Sequence, residues 1–315
     1  MPTLAMEAID YVATKLNYNT KEEAEELAVN KFFDILDKKI HEAKDSLIDR
    51  FKYITSQSPA SAKFMYENNT MGGYHREEGI ISALKHGTLV IGQLGLAETL
   101  EILIGCDHTT EKGMELAKRI EALFGKRCAE FKQEYRLNFG VYYSPAENLC
   151  YTAFKKWKDK YGDMENVTYY IDENGNRQEK LYFTNSMHIP VYKEMSPFKK
   201  IDLEAQLTGY SNAGCITYVE VLHDAIHNID ALEELVNYAM DKDIPYFALN
   251  LPSDTCTDCG YQGHIGDKCP KCGSENIERL RRVTGYLTGD YHSAFNAGKV
   301  VEADQRVKHK NVTKF

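Results

Sequence analysis

Apolar residues in the first third of the chain recur at three- and four-residue steps. Phe33, Leu36, Ile40, Ala43, Leu47 and Phe51 form one such series. Ala117, Ile120, Phe124, Cys128, Phe131 and Tyr135 form a second. Each series predicts a helix with one apolar stripe and a charged opposite face. Between them, Leu89-Val90-Ile91-Gly92 reads as a short buried strand. From about Leu137 the period changes, and strands are predicted at LNFGVYY, at LYF around Tyr182, at CITYVEV over 215–221 and at YFALN over 246–250. Asn174-Gly175, inside the polar stretch DENGNRQEK, marks a hairpin turn or loop tip. IDALEELVNYAMD, at 229–241, predicts a helix between the last two strands. Strands alternating with helices favour an α/β architecture of barrel-like form. Beyond about 252 the chain is short, loop-rich and organised by metal.

Composition narrows the function classes. With 315 residues the chain can bury a substantial core, and its 43% hydrophobic and 27% charged content are those of a globular protein. A net charge of -9 argues against a dedicated nucleic-acid binder. No apolar run reaches the roughly 20 residues of a membrane span, and the N-terminus lacks the pattern of a secretion signal. Four of the eight cysteines sit in Cys-x-x-Cys pairs, and Cys106, Cys128, Cys150 and Cys215 are scattered. Metal-bound plus free thiols imply a reducing cytoplasm.

The paired cysteines are Cys256 with Cys259 and Cys269 with Cys272, separated by nine residues. Four thiolates at this spacing make a tetrahedral zinc site, closed to water and therefore structural rather than catalytic. Gly260 and Gly273 each follow the second cysteine of a pair, where a tight turn needs positive φ. His264 lies between the pairs, but the shell is already complete.

Thirteen positions after Cys272 comes Gly285, within Arg-Val-Thr-Gly-Tyr-Leu. A glycine there is an ordinary turn residue unless context says otherwise. The cysteine pairs, this glycine and the closing Arg306-Val307-Lys308-His309 together resemble the tail of the anaerobic (class III) ribonucleoside-triphosphate reductases, a glycyl radical enzyme family. The resemblance runs upstream. Tyr143-Ser144-Pro145-Ala146-Glu147-Asn148-Leu149 is similar to the family's Ser/Thr-Pro-x-Glu-x-Leu loop, and Phe183-Thr184-Asn185-Ser186-Met187-His188 to its Tyr-Thr-Asn-Ser-x-His segment. Ser196-Pro197-Phe198 resembles its Thr-Pro-Phe, and Ser211-Asn212-Ala213-Gly214 a small-residue loop usually written with Gly-Gly. Met1 to Ala8 is similar to a segment from the middle of a full-length reductase.

The resemblance implies the C-terminal part of a ten-stranded α/β barrel of the glycyl radical type, then a four-cysteine zinc ribbon and a glycyl radical loop. The corresponding divisions are 1–251, 252–278 and 279–315. It implies that Gly285 stores a radical made by a radical-SAM [4Fe–4S] activase. A cysteine thiyl then removes the ribonucleotide's 3′-hydrogen so that the 2′-hydroxyl can leave. Ser144, Glu147, Asn185 and His188 become candidate contacts to a ribonucleoside triphosphate. Ser144-Pro145 equally fits a helix N-cap with proline at the first position, and His188 equally fits a satisfied core histidine. The thiyl cysteine is expected outside this chain, with Cys106 the most loop-like substitute. The chain therefore reads as part of a reductase, either a truncated product or a partner of a separately encoded N-terminal half, and, as the family implies, working in a homodimer. Two other readings stand beside it: a non-catalytic radical carrier, and a zinc-ribbon binding module.

Overall fold

The computed structural model describes residues 1–68, 70–143, 146–251, 253–263, 265–283, 286–288 and 291–307, with the backbone alone at 147, 223, 224, 283 and 286–288. Two helices open the chain, α1 (Pro2–Lys15) and the long α2 (Lys21–Thr55). Thr20 starts α2 by accepting a hydrogen bond from the Glu23 N–H at 3.1 Å, and Glu22 and Glu23 fill its first turn. Short helices α3 (Lys63–Glu67) and α4 (Ile81–Leu84) lead to strand β1 (Thr88–Ile91). Helices α5 (Leu96–Ile104) and α6 (Glu111–Tyr135) follow, then β2 (Asn138–Val141) and α7 (Glu147–Tyr161). A hairpin of β3 (Tyr169–Ile171) and β4 (Arg177–Glu179) precedes α8 (Pro197–Thr208). Next come β5 (Thr217–Glu220), α9 (Ile229–Asp241) and β6 (Phe247–Asn250). The remainder comprises β7 (Ser253–Cys256), β8 (Gln262–Gly263), β9 (Ile277–Val283), β10 (Tyr286–Thr288), α10 (Tyr291–Ala294) and α11 (Ala297–Asp304).

Strands β1 and β2 pair in parallel, as do β5 and β6, while β10-β9-β7-β8 form an antiparallel sheet. The architecture is thus mixed α/β, and the described residues do not by themselves close a barrel. The segment Ser211–Gly214 continues the wall beside β2. Ala213 N–H donates to Val141 O at 2.9 Å, and the Asn212 side-chain oxygen accepts from Val141 N at 2.8 Å. A Cβ on Gly140 would lie 2.9 Å from Asn212 Oδ1 and 3.0 Å from Ala213 Cβ, so glycine lets this segment lie against the strand.

One large apolar cluster ties α1, α2, α5 and α6 to the first strand pair. It contains Ala5, Ala8, Phe32, Leu36, Ile40, Leu100, Ala117, Ile120, Phe124 and Phe131, all essentially buried. The stripe expected on α6 is the buried one from Ala117 to Phe131. On α2 the buried face contains Phe32 rather than Phe33, although Leu36 and Ile40 are shared. Phe33 is half-buried beneath the Arg119 guanidinium, 5.0 Å from its ring centre. The 229–241 helix and the 174–175 hairpin turn lie where the pattern puts them, with Gly175 at φ 80°.

The LYF segment is not a strand. Its hydrogen bonds are spent singly on other elements: Lys180 N–H donates to Thr168 O, and Phe183 N–H to Cys150 O on α7. Tyr182 and Phe183 are both buried, without the alternation of a strand. Helix α7 begins at Glu147, two residues beyond the expected Ser144-Pro145 start. Ala146 occupies the N-cap position at φ 50° and supplies no side-chain cap.

Candidate active site and metal centre

The four predicted ligand cysteines converge. Their sulfur atoms all lie within 4.8 Å of one another, with Cys256 to Cys272 at 3.5 Å and Cys259 to Cys269 at 3.6 Å. Metal–sulfur bonds of about 2.3 Å in a tetrahedron require sulfur–sulfur edges of about 3.8 Å, so the cluster fits one metal ion held by four thiolates. The two cysteine pairs are built alike. In each, the first cysteine's carbonyl accepts from the N–H of the glycine four residues on, Gly260 to Cys256 and Gly273 to Cys269, both at 2.8 Å. Those glycines have φ 72° and 76°, as the spacing predicts. Against the burial that would raise it, the backbone N–H groups of Cys272 and Lys271 pull the Cys269 thiol down to about 7. A buried carboxylate stiffens the same sheet: Asp254 accepts from Arg281 at 2.5 Å and from Ile265 N–H at 3.0 Å.

The second site is a small cavity of about 40 Å³ lined by Asn185, His188, Lys200, Tyr218, Glu220, Glu302 and Arg306 among others. Glu220 and Asn250 end β5 and β6, and Asn250 Nδ2 donates to Glu220 Oε1 at 2.7 Å. The cavity therefore sits at the C-terminal ends of parallel strands, where α/β proteins place ligands. The Thr184–His188 loop walls it, and buried groups hold that loop. Glu98, fully buried, accepts from Lys180 Nζ at 2.6 Å, Thr184 N at 2.9 Å and Thr184 Oγ1 at 2.7 Å. Ser186 adopts φ 36°, unusual for a residue with a Cβ, and donates to Gln93 O at 3.1 Å. His188 Nδ1 stands 3.5 Å from Glu204 Oε1. Burial works to raise the Glu204 carboxyl, but Lys200 and His188 hold it well below the usual carboxylate range.

The C-terminal segment completes the cavity. Glu302 Oε1 accepts from Asn185 Nδ2 at 3.2 Å, and Lys299 Nζ donates to Asn185 Oδ1 at 3.3 Å and to Glu302 Oε2 at 2.6 Å. Arg306 pairs with Glu220 at 3.2 Å and donates to Arg282 O on β9 at 2.5 Å. Burial works against charge on Glu302, yet Lys299 and Arg306 hold its carboxyl below the ordinary value.

Asn185 and His188, both predicted contacts, are thus brought to one cavity. Ser144 and Gly285 lie outside the described residues, as does the Glu147 side chain. Positions 284 and 285 fall between β9 and β10, which pair antiparallel. Cys106 is partly exposed in a loop, Cys128 lies in the main core, and Cys150 is fully buried with its Sγ 3.0 Å from Asn185 Oδ1. The charged groups Glu98, Lys299, Glu302 and Glu220 escaped the sequence reading, and Arg306 entered it only as part of the closing motif. A helical spacing of three and four links Lys299, Glu302 and Arg306, but such a series ordinarily marks a solvated face.

A mixed α/β fold with a four-thiol centre ahead of its last strands narrows the protein to a class, and comparison gives the family. Residues 2–309 match the family described as anaerobic ribonucleoside-triphosphate reductase. The chain belongs to that family. It is 32% identical over 291 residues to the anaerobic ribonucleoside-triphosphate reductase of Escherichia coli K12, covering 88% of this chain and 39% of that protein. With the reductase of enterobacteria phage T4 it shares 29% identity over 320 residues, 98% of this chain and 47% of the phage protein. The chain therefore spans less than half the length of these relatives. Among solved structures, an anaerobic ribonucleotide reductase superposes with a TM-score of 0.69 at 18% identity, over 99% of this chain and 44% of its own. The Thermotoga maritima enzyme solved with dATP and CTP gives 0.63 at 19% identity, over 96% and 43%. At these identities the structures speak for the fold.

Proposed function

We infer that this chain is the C-terminal, radical-bearing part of an anaerobic ribonucleoside-triphosphate reductase, contributing one side of its α/β barrel. The observation that carries the reading is the family match over residues 2–309, joined to a four-thiol centre ahead of the strands that flank 284–285. In this reading Gly285 holds the radical, placed there by a radical-SAM [4Fe–4S] activase. Absence of a Cβ leaves the radical carbon free to become planar and open to close approach. Cys256, Cys259, Cys269 and Cys272 hold a structural zinc that anchors the radical-bearing segment. Asn185 and His188, with Ser144 and Glu147, face the ribonucleoside triphosphate. The divisions 1–251, 252–278 and 279–315 then correspond to barrel, zinc ribbon and radical tail. The thiyl cysteine and the rest of the barrel come from the portion of the reductase fold outside this chain, and the working assembly is a cytoplasmic homodimer.

A radical carrier without catalysis needs only the tail, and a zinc-ribbon module needs only 252–278. Neither accounts for a cavity closed jointly by the 184–188 loop, the end of β5, and α11. The test is anaerobic reconstitution with the activase, the remainder of a reductase and a ribonucleoside triphosphate. Deoxyribonucleotide should form, and Gly285→Ala should abolish it. Undiminished product from the alanine variant overturns the reading.

A further inference from the structure

Asn185 is held in one orientation by charge. A primary amide can usually turn over, exchanging its oxygen and nitrogen at little steric cost. Here an ammonium, which only donates, lies 3.3 Å from Oδ1, and a carboxylate, which only accepts, lies 3.2 Å from Nδ2. Turning the amide over would set NH2 against Lys299 and C=O against Glu302. The Cys150 thiol, donating to Oδ1 at 3.0 Å, favours the same orientation.

Both charges stand on α11, and a separate feature shows that α11 is tightly seated. A Cβ on Gly298 would lie 2.6 Å from Leu181 O and 2.8 Å from Tyr151 Cβ. The helix start therefore lies flush on α7 and on the chain entering the 184–188 loop. About two turns later, Gln305 accepts from Tyr182 Oη at 3.0 Å and donates to Glu179 O at 2.7 Å. Lys299 and Glu302 are each 1% exposed, so separating them from Asn185 leaves charges in the interior unless the helix leaves with them.

We propose that Lys299 and Glu302 are positioning residues that fix the Asn185 amide, so that undocking α11 frees this amide and loosens the Thr184–His188 loop that Glu98 and Gln93 otherwise anchor. The tail is then a clasp on the cavity as well as a carrier of Gly285. The consequence for turnover rests on the reductase reading; the coupling itself does not, and it can be measured without radical or substrate.

Hydrogen exchange of the whole chain, followed by mass spectrometry, tests it with two unlike disturbances. Gly298→Ala wedges α11 off sterically, and Lys299→Met removes the donor. Each should speed exchange by about tenfold or more, as loss of a buried charge partner does, in peptides covering 291–307 and also 183–189. Peptides from α2 and α6 should keep their protection, which also shows that the variants fold. Faster exchange at 291–307 with 183–189 unchanged overturns the proposal, as does no change in either. Amide orientation has its own test. Asn185→Asp sets a carboxylate oxygen against the Glu302 carboxylate where the amide had donated, and should release the loop. Adding Glu302→Gln, whose amide can turn to donate, should restore part of its protection, and a double variant no better protected than Asn185→Asp alone refutes the orientation argument.

Discussion

The helical body and the C-terminal segment are stabilised by different physics. Between α2 and α6, Phe32, Leu36, Ile40, Ile120 and Phe124 are sealed from water by one another. Among the described residues between Ser253 and Thr288, the buried apolar cluster is reduced to Ile265 with Cys256 and Cys269. Four converging thiols and the Asp254 ion pairs take its place, and Lys299 and Glu302 through Asn185, with Arg306 through Glu220, then dock the C-terminal segment. Apolar packing is non-directional and always present. Metal and charge are directional and can be withdrawn, by a chelator or by removing one partner. The body is therefore permanent, and the tail is conditional.

Metal removal should separate the two regions most sharply. Structural zinc contributes about 10–16 kcal/mol to folding in small zinc domains, so chelation or Cys259→Ser should strip amide protection from 253–283. The thermal transition of the body should stay in place; a chain that unfolds as one unit contradicts the comparison. The complementary disturbance is Phe32→Ala, which opens a void in the body and should cost about 3–5 kcal/mol. A denaturant midpoint measures that loss, and metal content should be unchanged.

A pH dependence sharpens the picture inside the body. Burial pushes the Glu121 carboxyl up from 4.5 to about 7, although Tyr143 and Gln93 hydrogen-bond it. Folding thus favours its protonated form, and this contribution is complete below pH 4.5 and lost as pH rises toward 7. Glu121→Gln should therefore gain about 2–3 kcal/mol over the native chain at pH 8, with less advantage at pH 5. Denaturant titrations at the two pH values check this; equal differences at both sink it. A smaller effect is expected at the wall beside β2. Gly140→Ala should cost about 1–2 kcal/mol by forcing Asn212 and Ala213 away, read as a lowered thermal midpoint.

Legibility in the sequence followed the same division. The α6 stripe was readable because apolar periodicity reflects burial directly. Strands β1, β2, β5 and β6 were readable as short apolar runs, although β1, expected to be buried, is buried only at Ile91 and leaves Val90 exposed. On α2 the shift from Phe33 to Phe32 arises because adjacent apolar residues leave the stripe's edge to be set by the neighbouring helices. The cysteine centre was readable because ligand spacing is local. The Tyr182 segment misled, since its apolar run serves loop anchoring rather than a sheet. Glu98, Glu302 and Lys299 were hidden for a plainer reason: a buried charge and a solvated one look alike until the partner 80 to 120 positions away is known.

Central to the proposed function is a radical held at Gly285. Anaerobic reduction with its radical-SAM activase, followed by electron paramagnetic resonance, tests it without the rest of the enzyme. A doublet from one α-hydrogen should appear and should be lost in Gly285→Ala. A native chain that binds its metal and yet gives no doublet, or a doublet that survives the substitution, contradicts it.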